Sequence, residues 1–203
     1  MVDRPKGLLY FPNAVPASLS KKAFEYIDSN SLEWYGPRSK TGFVKQKKSR
    51  ASFGRTEGDH ELPPIFEEIG RRAVEEIRRR VPVELAEEVH DLISDANVET
   101  CILNCYDPGD GVAPHHDPPR QKAAVIGVTF CEQPSTVRKM RFTKAKDKTK
   151  KHTVITHDCS AYVFFGDGYS EWKHESVKSK LQKGRVLSAS FRRKRHGIPG
   201  KNQ

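Results

Sequence analysis

From residue 98 onward the chain is a succession of short apolar and β-branched runs separated by turn residues, and this limits the fold more than any other feature. The runs at 98–106, 123–131, 137–143, 152–157, 161–166 and 185–193 read as strands. Ahead of them, residues 8–12 read as a first short strand, and 18–29 as a helix with Leu19, Ala23 and Ile27 on one stripe. A stronger helix is expected over 64–80, with Ile65, Ile69, Ala73 and Ile77 inward and charges outward, ending before Val81-Pro82. Helices first and strands later predict an α+β domain in which helices brace one sheet of an antiparallel sandwich. At 203 residues, with no repeat and no linker, 1–203 is expected to form a single domain with a sizeable core.

Within this frame Pro114-His115-His116-Asp117 places a His and an Asp two residues apart, on one side of an extended segment. Alone the motif reads better as a polar turn before Pro118-Pro119. His174, beyond the Gly-rich turn that ends 161–166, supplies a distant third ligand. Two imidazoles and a carboxylate on one face of an octahedron leave the opposite face open, the arrangement of non-haem Fe(II) oxygenases. His116 is an exposed neighbour or a pocket-lining residue, while His152 and His157 read as surface or packing residues. The run Gly184–Arg192 is a strand with an arginine near each end. A guanidinium facing an apolar interior requires an anion, and its planar fork suits a carboxylate. A dicarboxylate co-substrate beside the metal is the natural partner.

At these residues the chain resembles the AlkB family of Fe(II)/2-oxoglutarate dioxygenases. The resemblance runs from Gly7 to about Arg193. It includes Leu8-Leu9-Tyr10-Phe11-Pro12, the Asn104-x-Tyr106 pair ahead of His115-x-Asp117, the Gly-rich turn before His174, and the closing Phe191-Arg192. It implies a double-stranded β-helix (jelly roll) core braced by N-terminal helices. It also implies Fe(II) on His115, Asp117 and His174, and 2-oxoglutarate contacted by Asn104, Tyr106, Arg185 and Arg192, with dioxygen as oxidant. The implied activity is oxidative demethylation of N-alkylated nucleobases in DNA or RNA, coupled to decarboxylation of 2-oxoglutarate to succinate. One departure stands out. Six residues separate Arg185 from Arg192, one more than the family's usual spacing, so a regular strand would turn them to opposite faces. Either a β-bulge restores a common face or only one of them reaches the co-substrate.

Charge bears on the substrate. The formal net charge is +10, with 36 Lys and Arg against 26 Asp and Glu, which favours a polyanionic partner. Arg38, Lys40, Lys45, Lys47, Lys48, Arg50 and Arg55 follow one another without an acid, flanked or interrupted by Tyr35, Phe43 and Phe53. Cations that track phosphates, interleaved with rings that stack on bases, suit a single strand or a flipped base. Residues 30–60 are therefore expected to form a substrate-recognition lid, with Tyr35, Lys47, Lys48, Arg50, Phe53 and His116 as substrate-binding residues. A second basic run from Arg138 to Lys151 reads as a hairpin with a lysine-rich tip, and 192–203 as a basic tail; both could equally be solubilising surface. Two rivals remain: a 2-oxoglutarate dioxygenase acting on a protein side chain, and a non-enzymatic nucleic-acid-binding module. The absence of a signal-peptide or membrane-length apolar run predicts a soluble intracellular protein, expected to be a monomer. Cys101, Cys105, Cys131 and Cys159 lack zinc-site spacing and read as reduced thiols.

Overall fold

A computed structural model of the chain describes residues 4–30, 32, 50–53, 61–117 and 124–193. In chain order it contains β1 (Leu8–Phe11), α1 (Ala17–Ser29), β2 (Arg50–Phe53), α2 (Pro64–Arg80), α3 (Ala86–Leu92), β3 (Thr100–Tyr106) and β4 (Val112–His115). There follow β5 (Ala124–Cys131), β6 (Arg138–Lys144), β7 (Lys151–Thr156), β8 (Ser160–Phe165), the short α4 (Gly166–Ser170), β9 (Trp172–Ser176) and β10 (Val186–Arg192).

The strands form two antiparallel sheets, one ordered β1-β8-β5-β10-β3-β2 and the other β4-β9-β6-β7. From β3 onward the chain passes back and forth between them, so the two sheets wrap one interior. This is the expected jelly roll of an α+β protein, with helices on the outer face of the larger sheet. Strand alternation explains how one sheet serves two cores. In β8, Ala161, Val163 and Phe165 face α1 and α2, while Tyr162 and Phe164 face the smaller sheet and meet Met140, Phe142 and Trp172. In β10, Leu187, Ala189 and Phe191 join the helix-side core, which leaves Val186, Ser188, Ser190 and Arg192 for the interior.

The helices are set by local chemistry. Pro63 and Pro64 open α2, where a missing N–H costs nothing. Its last turn carries Arg78, Arg79 and Arg80 beside the partial negative charge of the helix end. Val81 turns extended ahead of Pro82 and stops it. The buried stripe is Phe66, Ile69, Ala73 and Ile77; Ile65, expected inward, is only half-buried, so the face begins one residue later. Each large apolar side chain fully buried here stabilises the fold by about 1.5–3 kcal/mol. Gly70 allows close approach: a Cβ there would lie 2.6 Å from Val98 Cγ1 and 3.0 Å from the Phe191 ring. The stripe Leu19, Ala23, Ile27 of α1 is buried as expected.

Two strands are absent from the sequence reading, β4 and β9, and a third, β2, lies in the basic stretch. The strand expected from residue 98 starts at Thr100, because Asp95–Val98 forms a 3-10 turn closed by a Ser94–Asn97 capping box. All four cysteines are free. Burial pushes the Cys105 thiol up to about 11 and the Cys131 and Cys159 thiols up to about 12, so none is a ready nucleophile at neutral pH. No helix among the described residues is long and apolar enough to cross a membrane.

Candidate metal and co-substrate site

The smaller sheet brings the sequence-predicted ligands together. His115, at the end of β4, is the register partner of His174 on β9, and Asp117 follows two residues on. Potential ligand atoms of the three all lie within 4.8 Å of one another. The imidazole centroids are 4.3 Å apart, and His174 Nε2 lies 3.8 Å from Asp117 Oδ2. His115 Nδ1 lies 2.9 Å from the Ala113 carbonyl. If it donates there, the ring is in the tautomer whose Nε2 lone pair is available to a metal. His174 is enclosed by the Phe142 and Phe164 rings, and burial lowers its pKa to about 4, against an opposing pull from Asp117. It is therefore a neutral imidazole at physiological pH, the form a metal requires.

Asp117 provides the test of fit. One oxygen, Oδ1, is ion-paired with Arg192 Nη2 at 2.8 Å, whereas Oδ2 is fully buried with no hydrogen-bond partner. A buried carboxylate oxygen that faces two imidazoles and has no hydrogen bond is costly unless a cation lies among them. Two imidazole nitrogens and one carboxylate oxygen suit a divalent first-row transition metal with open positions.

Next to the cluster lies a polar interior. β3 and β10 pair in unbroken register, with Asn104 opposite Ser188 and Tyr106 opposite Val186. Asn104 and Tyr106 share the interior face, because Cys101 and Leu103 belong to the helix-side core. The Tyr162 hydroxyl bonds Ser188, and burial pushes its phenol well up. Tyr162 lies directly over Gly127, where a Cβ would come within 2.1 Å of its ring.

Arg185 is not brought to this interior. No bulge interrupts β10, so Arg185 and Arg192 face opposite sides. Arg185 binds both oxygens of Asp28 at 2.6 and 2.8 Å, bonds Glu132, and lies over the Phe24 ring of α1. These carboxylates raise its pKa. The expectation of co-substrate contact by Arg185 is corrected on this geometry: its charge is already neutralised on the helix side.

Phe53 is also corrected. It is 4% exposed, part of the helix-side core, and stacked on Phe66 with centroids 6.3 Å apart. β2 alternates like any strand, so Phe53 pairs with Cys101 on the face turned away from the site. The same register sets Arg50 opposite Asn104. His116 is half-buried between two ligands. Tyr35, Lys47 and Lys48 lie outside the described residues, as do most of the expected lid and the basic tail beyond Arg193.

One interior residue escaped the sequence reading. Arg138, taken for the start of a surface charge run, is 2% exposed. The signal was parity: Arg138, Met140 and Phe142 share a face of β6, and the last two are apolar. Its guanidinium sits 4.2 Å over the Tyr106 ring and donates to Ser176 Oγ, Gln182 Oε1 and the Asp110 carbonyl. Gln182 in turn donates to the Tyr106 carbonyl.

Residues 7–198 match the family model described as the 2OG-Fe(II) oxygenase superfamily. The fold is similar to the solved structure of OsALKBH1, with a TM-score of 0.65 and 13% identity over 95% of this chain and 100% of that one. A Pseudomonas putida prolyl-4-hydroxylase matches with a TM-score of 0.49 and 18% identity over 93% of each chain. No curated protein matches the sequence.

Proposed function

This chain belongs to the 2OG-Fe(II) oxygenase superfamily, and from that premise we propose that it removes N-alkyl groups from nucleobases in DNA or RNA. The family uses Fe(II), 2-oxoglutarate and dioxygen, and His115, Asp117 and His174 would hold the iron. Iron supplies the oxidising chemistry, coupling decarboxylation of 2-oxoglutarate to succinate with hydroxylation of a C–H bond. An N-methyl group so treated becomes N-hydroxymethyl, which releases formaldehyde and leaves N–H on the base.

The chain's own residues prepare that chemistry. Arg192 holds one oxygen of Asp117 and leaves the other for the metal. Phe142 and Phe164 shield His174 from water, which matters for a reactive oxidant. Asn104, Tyr106 and Arg192 present polar groups to the interior beside the ligands, where the co-substrate would lie.

The observation that carries the nucleic-acid reading is the pairing of β2 with β3. It ties the basic, aromatic stretch 38–55 to the strand bearing Asn104 and Tyr106, with Arg50 opposite Asn104. Residues 30–60 would then be a lid that grips a strand beside the iron, Tyr35, Lys47, Lys48 and Arg50 meeting phosphates and bases. The likeness to OsALKBH1 agrees at the level of the fold. The test is anaerobic loading with Fe(II) and 2-oxoglutarate, followed by oxygen with methylated DNA, methylated RNA or no nucleic acid. Formaldehyde should appear with one of the two nucleic acids and be matched by extra succinate. Succinate formation unaffected by either would overturn the reading.

A further inference from the structure

The interior of the jelly roll contains a guanidinium, that of Arg138, that forms no ion pair among the described residues, although the Asp110 charge acts on it from farther off. Arg138 is 2% exposed, yet each acceptor it reaches is neutral: a serine hydroxyl, a glutamine carbonyl and a backbone carbonyl. No carboxylate among the described residues lies within ion-pair distance of it. Asp110, whose backbone it touches, uses its own carboxylate on the Asp107 N–H. The contrast with the other arginines is sharp, since Arg185 has Asp28 and Glu132, Arg141 has Glu175, and Arg192 has Asp117. Burial lowers the pKa of Arg138, as expected of a guanidinium short of negative charge. A buried unpaired cation is among the most costly groups a fold can contain, so an anion is expected to complete it.

Position identifies the anion. Arg138 lies on the β6 face that carries Phe142, the register partner of His174. The two positions are about 13 Å apart along the strand at ~3.3 Å per residue, a span that an arginine side chain and an extended five-carbon dicarboxylate can fill together. The guanidinium lies over Tyr106, whose partner across β3 and β10 is Val186. β10 itself offers this interior only one guanidinium, Arg192, whose Nη2 pairs with Asp117 beside the ligands while its buried Nε has no hydrogen-bond partner, so Arg192 serves the metal end of the pocket. Ser176, Gln182 and the Asp110 carbonyl take up three of the five N–H donors of Arg138, leaving capacity for a carboxylate.

We propose that Arg138, reaching in from the smaller sheet, binds the distal carboxylate of 2-oxoglutarate, a role the sequence left open between Arg185 and Arg192. Ser176 and Gln182 aim the fork, and Tyr106 forms the floor beneath it. The proposal rests on the co-substrate reading of this pocket and is independent of which polymer or side chain is oxidised.

The test is direct binding to metal-loaded protein, followed by calorimetry under anaerobic conditions and by the visible charge-transfer band of the Fe(II) chelate. Arg138→Gln should bind 2-oxoglutarate at least thirtyfold more weakly than the parent, while its affinity for Fe(II) stays within threefold. Pyruvate has the same chelating end but no distal carboxylate, and its weak binding should be the same in parent and variant. Arg138→Lys, which keeps a charge in the cavity, should fold and fall between the two. Arg185→Gln should bind 2-oxoglutarate like the parent. The assignment is overturned if Arg138→Gln and Arg138→Lys bind 2-oxoglutarate as the parent does, or if they lose pyruvate in equal proportion. If Arg138→Gln does not fold, parent-like binding by Arg138→Lys alone overturns it. A parent that binds pyruvate and 2-oxoglutarate equally would overturn the co-substrate reading itself.

Discussion

Arg192 is ion-paired with one oxygen of Asp117 at 2.8 Å, while the other oxygen is buried and has no hydrogen-bond partner. The pair fixes the carboxylate so that its unsatisfied oxygen lies among the imidazoles. Removing the arginine should therefore act on the metal as well as on the fold. Arg192→Gln is expected to weaken Fe(II) or Mn(II) binding by about 10–100-fold, as for other groups that orient a metal ligand. It should also cost on the order of 3–5 kcal/mol in urea unfolding of the metal-free protein, because a charge is left buried and unpaired. Parent-like metal affinity in this variant would show that the Asp117–Arg192 contact has no part in building the site.

Metal should stabilise the folded state. A ligand that binds only the native protein adds about 2.7 kcal/mol at one hundred times its dissociation constant, and for a chain of this size each kcal/mol moves the melting temperature by roughly 2–4 °C. Adding Mn(II) to chelator-stripped protein should thus raise Tm by about 5–10 °C. His115→Ala and His174→Ala should lose that increment while melting cooperatively without metal. A shift retained by both variants would place the metal elsewhere.

Arg185 has a different consequence. Its hydrogen bonds hold the Asp28 and Glu132 carboxyls below their ordinary values of 3.8 and 4.5. For carboxyls lowered on folding, the added stability is fully present above those ordinary values and disappears as pH falls through the folded ones. The acid limb of stability below about pH 4.5 should therefore flatten in Arg185→Ala relative to the parent. At neutral pH the loss should be modest, about 1 kcal/mol, since Asp28 and Glu132 are half-exposed. Urea unfolding at several pH values would check both, and an unchanged acid limb would contradict the account.

Much of this arrangement is legible in strand parity. Once 185–193 is a strand, Arg185 and Arg192 must diverge unless a bulge intervenes, and none does. The same parity would have drawn Arg138 inward with Met140 and Phe142, but the lysines that follow it disguised a buried face as a charge run. β4 and β9 were illegible as strands for another reason. β4 has only four residues, Pro114 among them, and β9 alternates Trp172, His174 and Ser176 with charged residues. Their polar interior positions serve the metal, so they carry no apolar period to read. Phe53 misled by company, since basic neighbours suggested a nucleic-acid surface while its own position in β2 delivers it to the core.

That last residue separates stability from recognition. Phe53 is 4% exposed against Phe66, Tyr26 also packs on Phe66, and Ala51 shares its face of β2. Truncating a buried phenylalanine forfeits its transfer energy and leaves a cavity as well, so Phe53→Ala should cost about 3–5 kcal/mol. It should not change oligonucleotide affinity at temperatures where the variant remains folded. Lys47, Lys48 and Arg50 should behave in the opposite way. Removing one cation from a phosphate lowers the slope of log K against log salt by about 0.7–0.9, so replacing the three by Gln should flatten that slope with little change in Tm. Fluorescence anisotropy with single-stranded oligonucleotides across a salt series, beside thermal melts, measures both quantities on the same samples. Weaker binding by Phe53→Ala with unchanged Tm would return that ring to the substrate surface. A triple variant with the parent's salt slope would remove the basic stretch from the binding face and with it the main support for a nucleic-acid substrate.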